Sequence, residues 1–101
     1  MYSEKTSLND LNKRIKTSKS IFVYYYQKNC SHCKKVAPYL IPLGKKQNEF
    51  AMLDLEEHPN GASKMKISAT PTLVKYKNGK EEKRIIGEKT ENEYEAFFDE
   101  N

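Results

Sequence analysis

Two cysteines stand three positions apart in the stretch Cys30-Ser-His-Cys33, and they are the only cysteines of the chain. An apolar, aromatic run at residues 21–26 precedes them and apolar residues at helical spacing follow, which predicts that a buried strand ends and a helix begins there. On a helix this spacing puts both side chains on one face, close enough for the sulfurs to bond. The unpaired N–H groups and positive dipole end of a helix start stabilise a thiolate. The pattern therefore predicts reversible dithiol–disulfide chemistry.

The elements that must position these cysteines alternate between helix and strand. The turn residues Asn78-Gly79 predict a hairpin between the last two strands. The near-continuous apolar character of residues 20–27 predicts a central strand that is covered on both faces. We predict helices over 6–19, 30–47 (interrupted at Pro38 and Pro42), 59–66 and after the capping box Thr90–Glu93, and strands over 20–27, 50–55, 73–77 and 81–86.

This order predicts an α/β sandwich in which a βαβ unit pairs its strands in parallel and the C-terminal hairpin adds antiparallel strands. The length of 101 residues predicts a single domain, residues 1–101, with a core that needs no metal or disulfide staple.

Composition excludes several function classes. The 18 basic and 14 acidic residues give a net charge of +4, but the lysines are scattered among acids, so we expect no nucleic-acid partner. No apolar run approaches the roughly 18 residues of a membrane span, so we expect no membrane association. No signal-peptide core is visible, which predicts a cytoplasmic location for the chain as written. A trimmed chain would look the same and leaves an extracytoplasmic location open.

Five landmarks in this order resemble the thioredoxin superfamily, over residues 6–100. They are Cys30-x-x-Cys33 after an aromatic strand, Pro38, Thr70-Pro71-Thr72 entering a strand, the Lys77-Asn78-Gly79 turn, and Gly87 before a terminal helix. The resemblance implies a thioredoxin fold, which is an α/β fold with a central mixed four-stranded sheet flanked by helices.

The resemblance also implies roles for the site residues. Cys30 would be the nucleophile and Cys33 the resolving cysteine of a thiol–disulfide oxidoreductase. Pro71 would be cis, and the Thr70 backbone opposite the sulfurs would bind an extended substrate peptide, together with Ser31. The implied substrates are protein or peptide thiols and disulfides. A monomer would exchange electrons with an unidentified dithiol partner, a reductase or an oxidase, with no cofactor and no metal.

Ser31 and His32 stand where thioredoxins have Gly-Pro. His32 can donate a hydrogen bond or charge to the Cys30 thiolate, and a histidine here is similar to that of the bacterial disulfide-forming oxidases. A more stable thiolate makes the disulfide more oxidising, so we place His32 among the catalytic residues and expect a couple more oxidising than that of thioredoxin.

Three positions depart from the family pattern. Asn29 replaces the usual Trp before the first cysteine, Tyr24 replaces a buried Asp, and Met52 replaces the Lys that often pairs with that Asp. Without the carboxylate, Cys33 lacks its usual base. We expect this to weaken general reduction of protein disulfides but not exchange chemistry.

Two other interpretations remain at the sequence level. The chain could be a thioredoxin-fold binding or regulatory module without turnover, although such a module has no need of an attacking thiol. It could also bind a soft metal through Cys30, His32 and Cys33. A closed zinc site needs a fourth ligand, and the other histidine, His58, is predicted to lie in a distant loop.

Overall fold

The strand that precedes the cysteines, β1 (Ser20–Tyr26), lies inside the sheet and is buried from its second residue onward. The computed structural model describes residues 6–99. β1 pairs in parallel with β2 (Phe50–Asp54) and antiparallel with β3 (Thr72–Lys77), and β4 (Lys80–Ile86) pairs antiparallel with β3. The resulting order is β2-β1-β3-β4. The predicted mixed four-stranded sheet and the central place of its first strand are confirmed.

The hairpin between β3 and β4 turns through two residues, Asn78 and Gly79, both with positive φ (53° and 82°). These angles are typical of a type I′ turn, whose twist matches that of the flanking strands. The predicted hairpin is confirmed.

Helices cover both faces of the sheet. On one face, α2 (Ser31–Lys45) and α4 (Glu91–Asp99) pack on an apolar cluster that includes Phe22 of β1. On the other face, α1 (Leu8–Thr17) and the short α3 (Asn60–Lys64) lie over a second apolar cluster. Because successive strand residues point to opposite faces, the three tyrosines of β1 divide between the two cores. Tyr24 and Tyr26 belong to the first cluster, and Tyr25 belongs to the second.

The helix caps follow the sequence. The Ser7 hydroxyl accepts from the N–H of Asp10 (3.1 Å) at the start of α1. Thr90 and Glu93 form a reciprocal box at the start of α4, with bonds of 3.2 Å and 3.1 Å between the backbone N–H of each and the side chain of the other. These contacts satisfy N–H groups that the first helical turn leaves without partners.

The predicted helix 30–47 is present as α2, but the interruption expected at Pro42 does not end it, because the helix continues to Lys45. Pro38 and Pro42 remove the bonds to the carbonyls of residues 34 and 38. Lys34, Pro38 and Pro42 are all exposed, so water can bond these carbonyls while the opposite side of the helix stays packed.

Candidate active site

The two cysteines lie where the chain leaves β1 and enters α2. Cys30 is the N-cap of α2, in extended conformation, and its Sγ accepts from the backbone N–H of Cys33 at 3.2 Å. Cys30 is half-buried and Cys33 is fully buried; both are free thiols. The predicted strand–cysteine–helix arrangement thus presents one sulfur at the surface and holds the other one turn inside.

The loop before β3 faces the outer sulfur. The Thr70–Pro71 peptide bond is cis. The carbonyl oxygen of Thr70 lies 3.6 Å from Sγ of Cys30, and the Thr70 hydroxyl lies 3.4 Å from the same atom. The sequence therefore brings residues 30 and 70 together across the site, although they are 40 positions apart.

The surroundings shift the pKa values of the two thiols in opposite directions. Partial desolvation raises the pKa of Cys30, but hydrogen bonds from the Cys33 thiol, the Thr70 hydroxyl and the backbone N–H groups of Cys33 and His32 outweigh it, so the pKa is lowered overall. Burial, followed by the bond to Cys30, raises the pKa of Cys33 to about 11. At neutral pH Cys30 is the thiol that more readily gives a thiolate, which is the nucleophilic form.

The imidazole of His32 contacts a carboxylate. Its Nδ1 lies 2.7 Å from Oε1 of Glu88, in the loop after β4, and the ring is largely exposed. Lys35 Nζ lies 3.6 Å from the other oxygen of Glu88. The imidazole and Lys35 lower the pKa of the Glu88 carboxyl, chiefly through the hydrogen bond from His32. His32 thus supports the Cys30 thiolate through its backbone N–H, and its ring joins α2 to the loop after β4.

Tyr24 occupies the place where the resemblance implies a buried Asp. It is fully buried, and its hydroxyl donates to the carbonyl oxygen of Cys33 at 3.4 Å. Met52 is also fully buried, in the same apolar cluster. The main influences on the pKa of Cys33 are burial, Cys30, the Gln27 backbone and the Thr70 hydroxyl. No carboxylate is among them, so the interior beside Cys33 contains a phenol where the family pattern has a carboxylate.

Three residues that the sequence interpretation did not single out complete the surroundings of the cysteines. The side-chain oxygen of Gln27 accepts from the Thr70 hydroxyl at 3.1 Å. Glu56 accepts from the backbone N–H of Asn29 at 2.8 Å, and Glu88 binds His32. All three lie in segments that follow strands, and no spacing links them to the cysteines. Only the position of Glu88 next to Gly87 gave a signal.

Ser31, which the resemblance implies to be a substrate contact, is the exposed first residue of α2. Over residues 6–99, no group of three His, Cys, Asp or Glu side chains is arranged to hold a metal ion. Within the same residues, no helix has the length and apolar character needed to span a bilayer.

Comparison with known proteins agrees with this geometry. The family model described as Thioredoxin matches residues 3–100. Thioredoxin-1 of Saccharomyces cerevisiae is 32% identical over 89 residues, which cover 86% of each chain. The structure of mitochondrial thioredoxin 3 from the same yeast superposes with a TM-score of 0.80 at 27% identity, covering 93% of this chain and 91% of that one. A Plasmodium falciparum thioredoxin shares the fold, with a TM-score of 0.86 at 21% identity, covering 94% and 95% of the two chains. The chain belongs to the thioredoxin family.

Proposed function

We propose that this protein is a thiol–disulfide oxidoreductase that exchanges disulfides with protein or peptide substrates through Cys30 and Cys33. The observation that carries the proposal is the asymmetry of the pair. Cys30 is accessible at the helix start, with a lowered pKa and four hydrogen-bond donors around it, whereas Cys33 is buried with a raised pKa. One sulfur is suited to attack a substrate, and the other is kept protonated until an intermediate forms.

The reaction balances without a cofactor. The Cys30 thiolate attacks one sulfur of a substrate disulfide, that S–S bond breaks, and the departing thiolate takes up a proton. Cys33 then loses its proton to solvent and attacks Sγ of Cys30. The mixed disulfide breaks, the second substrate thiol leaves, and two electrons have passed from the cysteine pair to the substrate. The reverse sequence oxidises a substrate dithiol, and an unidentified dithiol partner restores the starting state.

An extended peptide would lie against the loop that contains Thr70 and pair with its backbone as an added strand. An open cleft of about 290 Å³ adjoins this loop and has room for a peptide side chain. Ser31, the exposed residue that follows Cys30, would complete the contact. The cleft is lined by Gln27, Leu55, Pro59, Ala62, Ile67, Ser68, Ala69 and Thr70.

The donors around Cys30 support a couple more oxidising than one with Gly-Pro between its cysteines. A proline at position 32 has no N–H to donate, whereas the N–H of His32 helps to lower the pKa of Cys30. Stabilising the thiolate stabilises the reduced protein and raises the oxidising power of the disulfide.

The test is turnover in both directions: dithiothreitol-driven reduction of insulin, and oxidation of reduced ribonuclease by the disulfide form. We expect Cys30→Ser to abolish both activities. Cys33→Ser should instead accumulate a mixed disulfide with substrate on Cys30, visible by mass spectrometry and released by reductant. If Cys30→Ser retained the wild-type activities, the proposal would fail and a module without turnover would be the better account.

A further inference from the structure

The Thr70 hydroxyl has one proton and two acceptors within reach. Its Oγ1 lies 3.1 Å from Oε1 of Gln27 and 3.4 Å from Sγ of Cys30. The same sulfur lies 3.6 Å from the Thr70 carbonyl oxygen, to which a thiol can donate. Because a hydroxyl donates one proton, its bond to the glutamine oxygen and its bond to the sulfur compete.

The thiol and the thiolate of Cys30 make different hydrogen bonds with Thr70. A neutral thiol donates to the Thr70 carbonyl and leaves the hydroxyl free to donate to Gln27. A thiolate can only accept, and a hydrogen bond to a charged acceptor is stronger than one to a neutral amide. Ionisation therefore sends the thiol proton to solvent and turns the hydroxyl from Gln27 towards the sulfur.

We propose that Gln27 is a positioning residue for Cys30: its side-chain oxygen competes with the Cys30 thiolate for the Thr70 proton and so limits the stability of that thiolate. The inference concerns the sulfur on which the proposed function rests, and it adds a residue that controls its reactivity. Gln27 directly follows β1 and is exposed, and its side chain reaches Thr70 across the cleft. The lowering of the Cys30 pKa by the Thr70 hydroxyl shows that this donor matters to the thiolate.

The test measures Cys30 ionisation and needs no turnover. Thiolate absorbance and the rate of alkylation by iodoacetamide would be followed against pH in the reduced protein. The variants are Gln27→Leu, which removes the acceptor at equal size, Thr70→Val, which removes the donor, and the double variant. Gln47→Leu, the same substitution beyond the far end of α2, is the matched control. The titratable groups that flank the site, Cys33, His32, Glu88 and Glu56, are unchanged in all of them.

We expect Gln27→Leu to increase the thiolate fraction at a pH below the pKa by about threefold, the effect of one neutral hydrogen bond. Thr70→Val should decrease it by a similar factor, and adding Gln27→Leu to Thr70→Val should change nothing further. The equilibrium constant with glutathione should shift in the same order, because a more stable thiolate makes the disulfide more oxidising.

Three results would overturn the inference. The first is an unchanged thiolate fraction in Gln27→Leu. The second is a decreased thiolate fraction in Gln27→Leu, which would mean that the amide nitrogen faces Thr70. The third is a full effect of Gln27→Leu in the Thr70→Val background. The proposed function is judged separately. If Cys30 ionisation follows the expected order but insulin and ribonuclease are not turned over, only the proposed function fails.

Discussion

Position 32 acts on Cys30 by one route and on the loop after β4 by another. The backbone N–H of His32 helps to lower the pKa of Cys30, while the imidazole binds Glu88 at 2.7 Å. We expect His32→Ala, which keeps the N–H, to change the thiolate fraction of Cys30 little. His32→Pro removes the N–H as well and should decrease that fraction by about threefold. Thiolate absorbance against pH measures both.

The control for the His32 variants is Glu88→Gln, which weakens the contact to the His32 ring and leaves the backbone of α2 intact. If His32→Ala and His32→Pro shifted the pKa of Cys30 equally, the ring would be the effective group, as the sequence interpretation held. A shift in Glu88→Gln as large as that in His32→Pro would lead to the same conclusion.

Among individual residues, the sequence identified those that are marked by their spacing or by the family resemblance. Cys30 and Cys33 are marked by spacing, and Thr70-Pro71 by the resemblance. The roles of Gln27 and Glu88 could not be predicted, because they depend on contacts made across the site with residues 43 and 56 positions away in sequence. The direction of the His32 ring is likewise set by a carboxylate whose place only the folded chain defines.

The packing of α2 against β2 depends on a glycine. A Cβ built on Gly44 would lie 2.7 Å from Cδ1 of Phe50, nearer than side chains normally approach, and Cε1 and Cζ of the same ring would lie nearer still. We expect Gly44→Ala to lower the free energy of unfolding by about 1–2 kcal/mol, because overpacking outweighs the gain of roughly 1 kcal/mol in helix propensity. Urea unfolding followed by circular dichroism measures the change.

The control is the same substitution in a Phe50→Leu background, where the smaller side chain leaves room for the methyl group. There, Gly44→Ala should cost less or become stabilising, so the two changes should not be additive. A gain in stability from Gly44→Ala in the wild-type chain would show that Phe50 moves aside freely and would contradict the expectation.

Helices and strands were predictable to within about two residues because periodicity, caps and turn chemistry are local signals. The continuity of α2 through Pro42 was not, because local rules weigh the hydrogen bonds lost at a proline but not the tertiary packing of the helix. Leu40 and Ile41 are buried under α4 and the sheet, and Gly44 fits against Phe50. These contacts hold the helix through the second proline.

For the whole molecule, buried hydroxyls and thiols set the response to alkali. Burial, above all other causes, raises the pKa of Tyr25, Tyr76 and Tyr94 as well as that of Cys33. A group that stays protonated in the folded state beyond its unfolded pKa makes the folded state bind more protons, so stability falls as pH rises. The tyrosines contribute in both redox forms, and the cysteines contribute only in the reduced form.

The difference in unfolding free energy between the reduced and disulfide forms therefore isolates the cysteine pair. Between the lowered pKa of Cys30 and the usual thiol value of 9.0, the unfolded reduced chain binds more protons, so the reduced form gains stability as pH rises. Between 9.0 and about 11 the folded chain binds more, because Cys33 stays protonated, and that stability is lost again, by on the order of 2 kcal/mol. We expect a maximum in the difference near pH 9, measured by urea unfolding from pH 6 to 10.5 with and without reductant. Cys33→Ala cannot form the disulfide, so its stability is compared with that of the wild-type disulfide form: the fall should be lost, and the rise should be smaller because the Cys33 thiol helps to lower the pKa of Cys30. A wild-type difference that kept rising through pH 10.5 would show that burial does not hold the proton on Cys33.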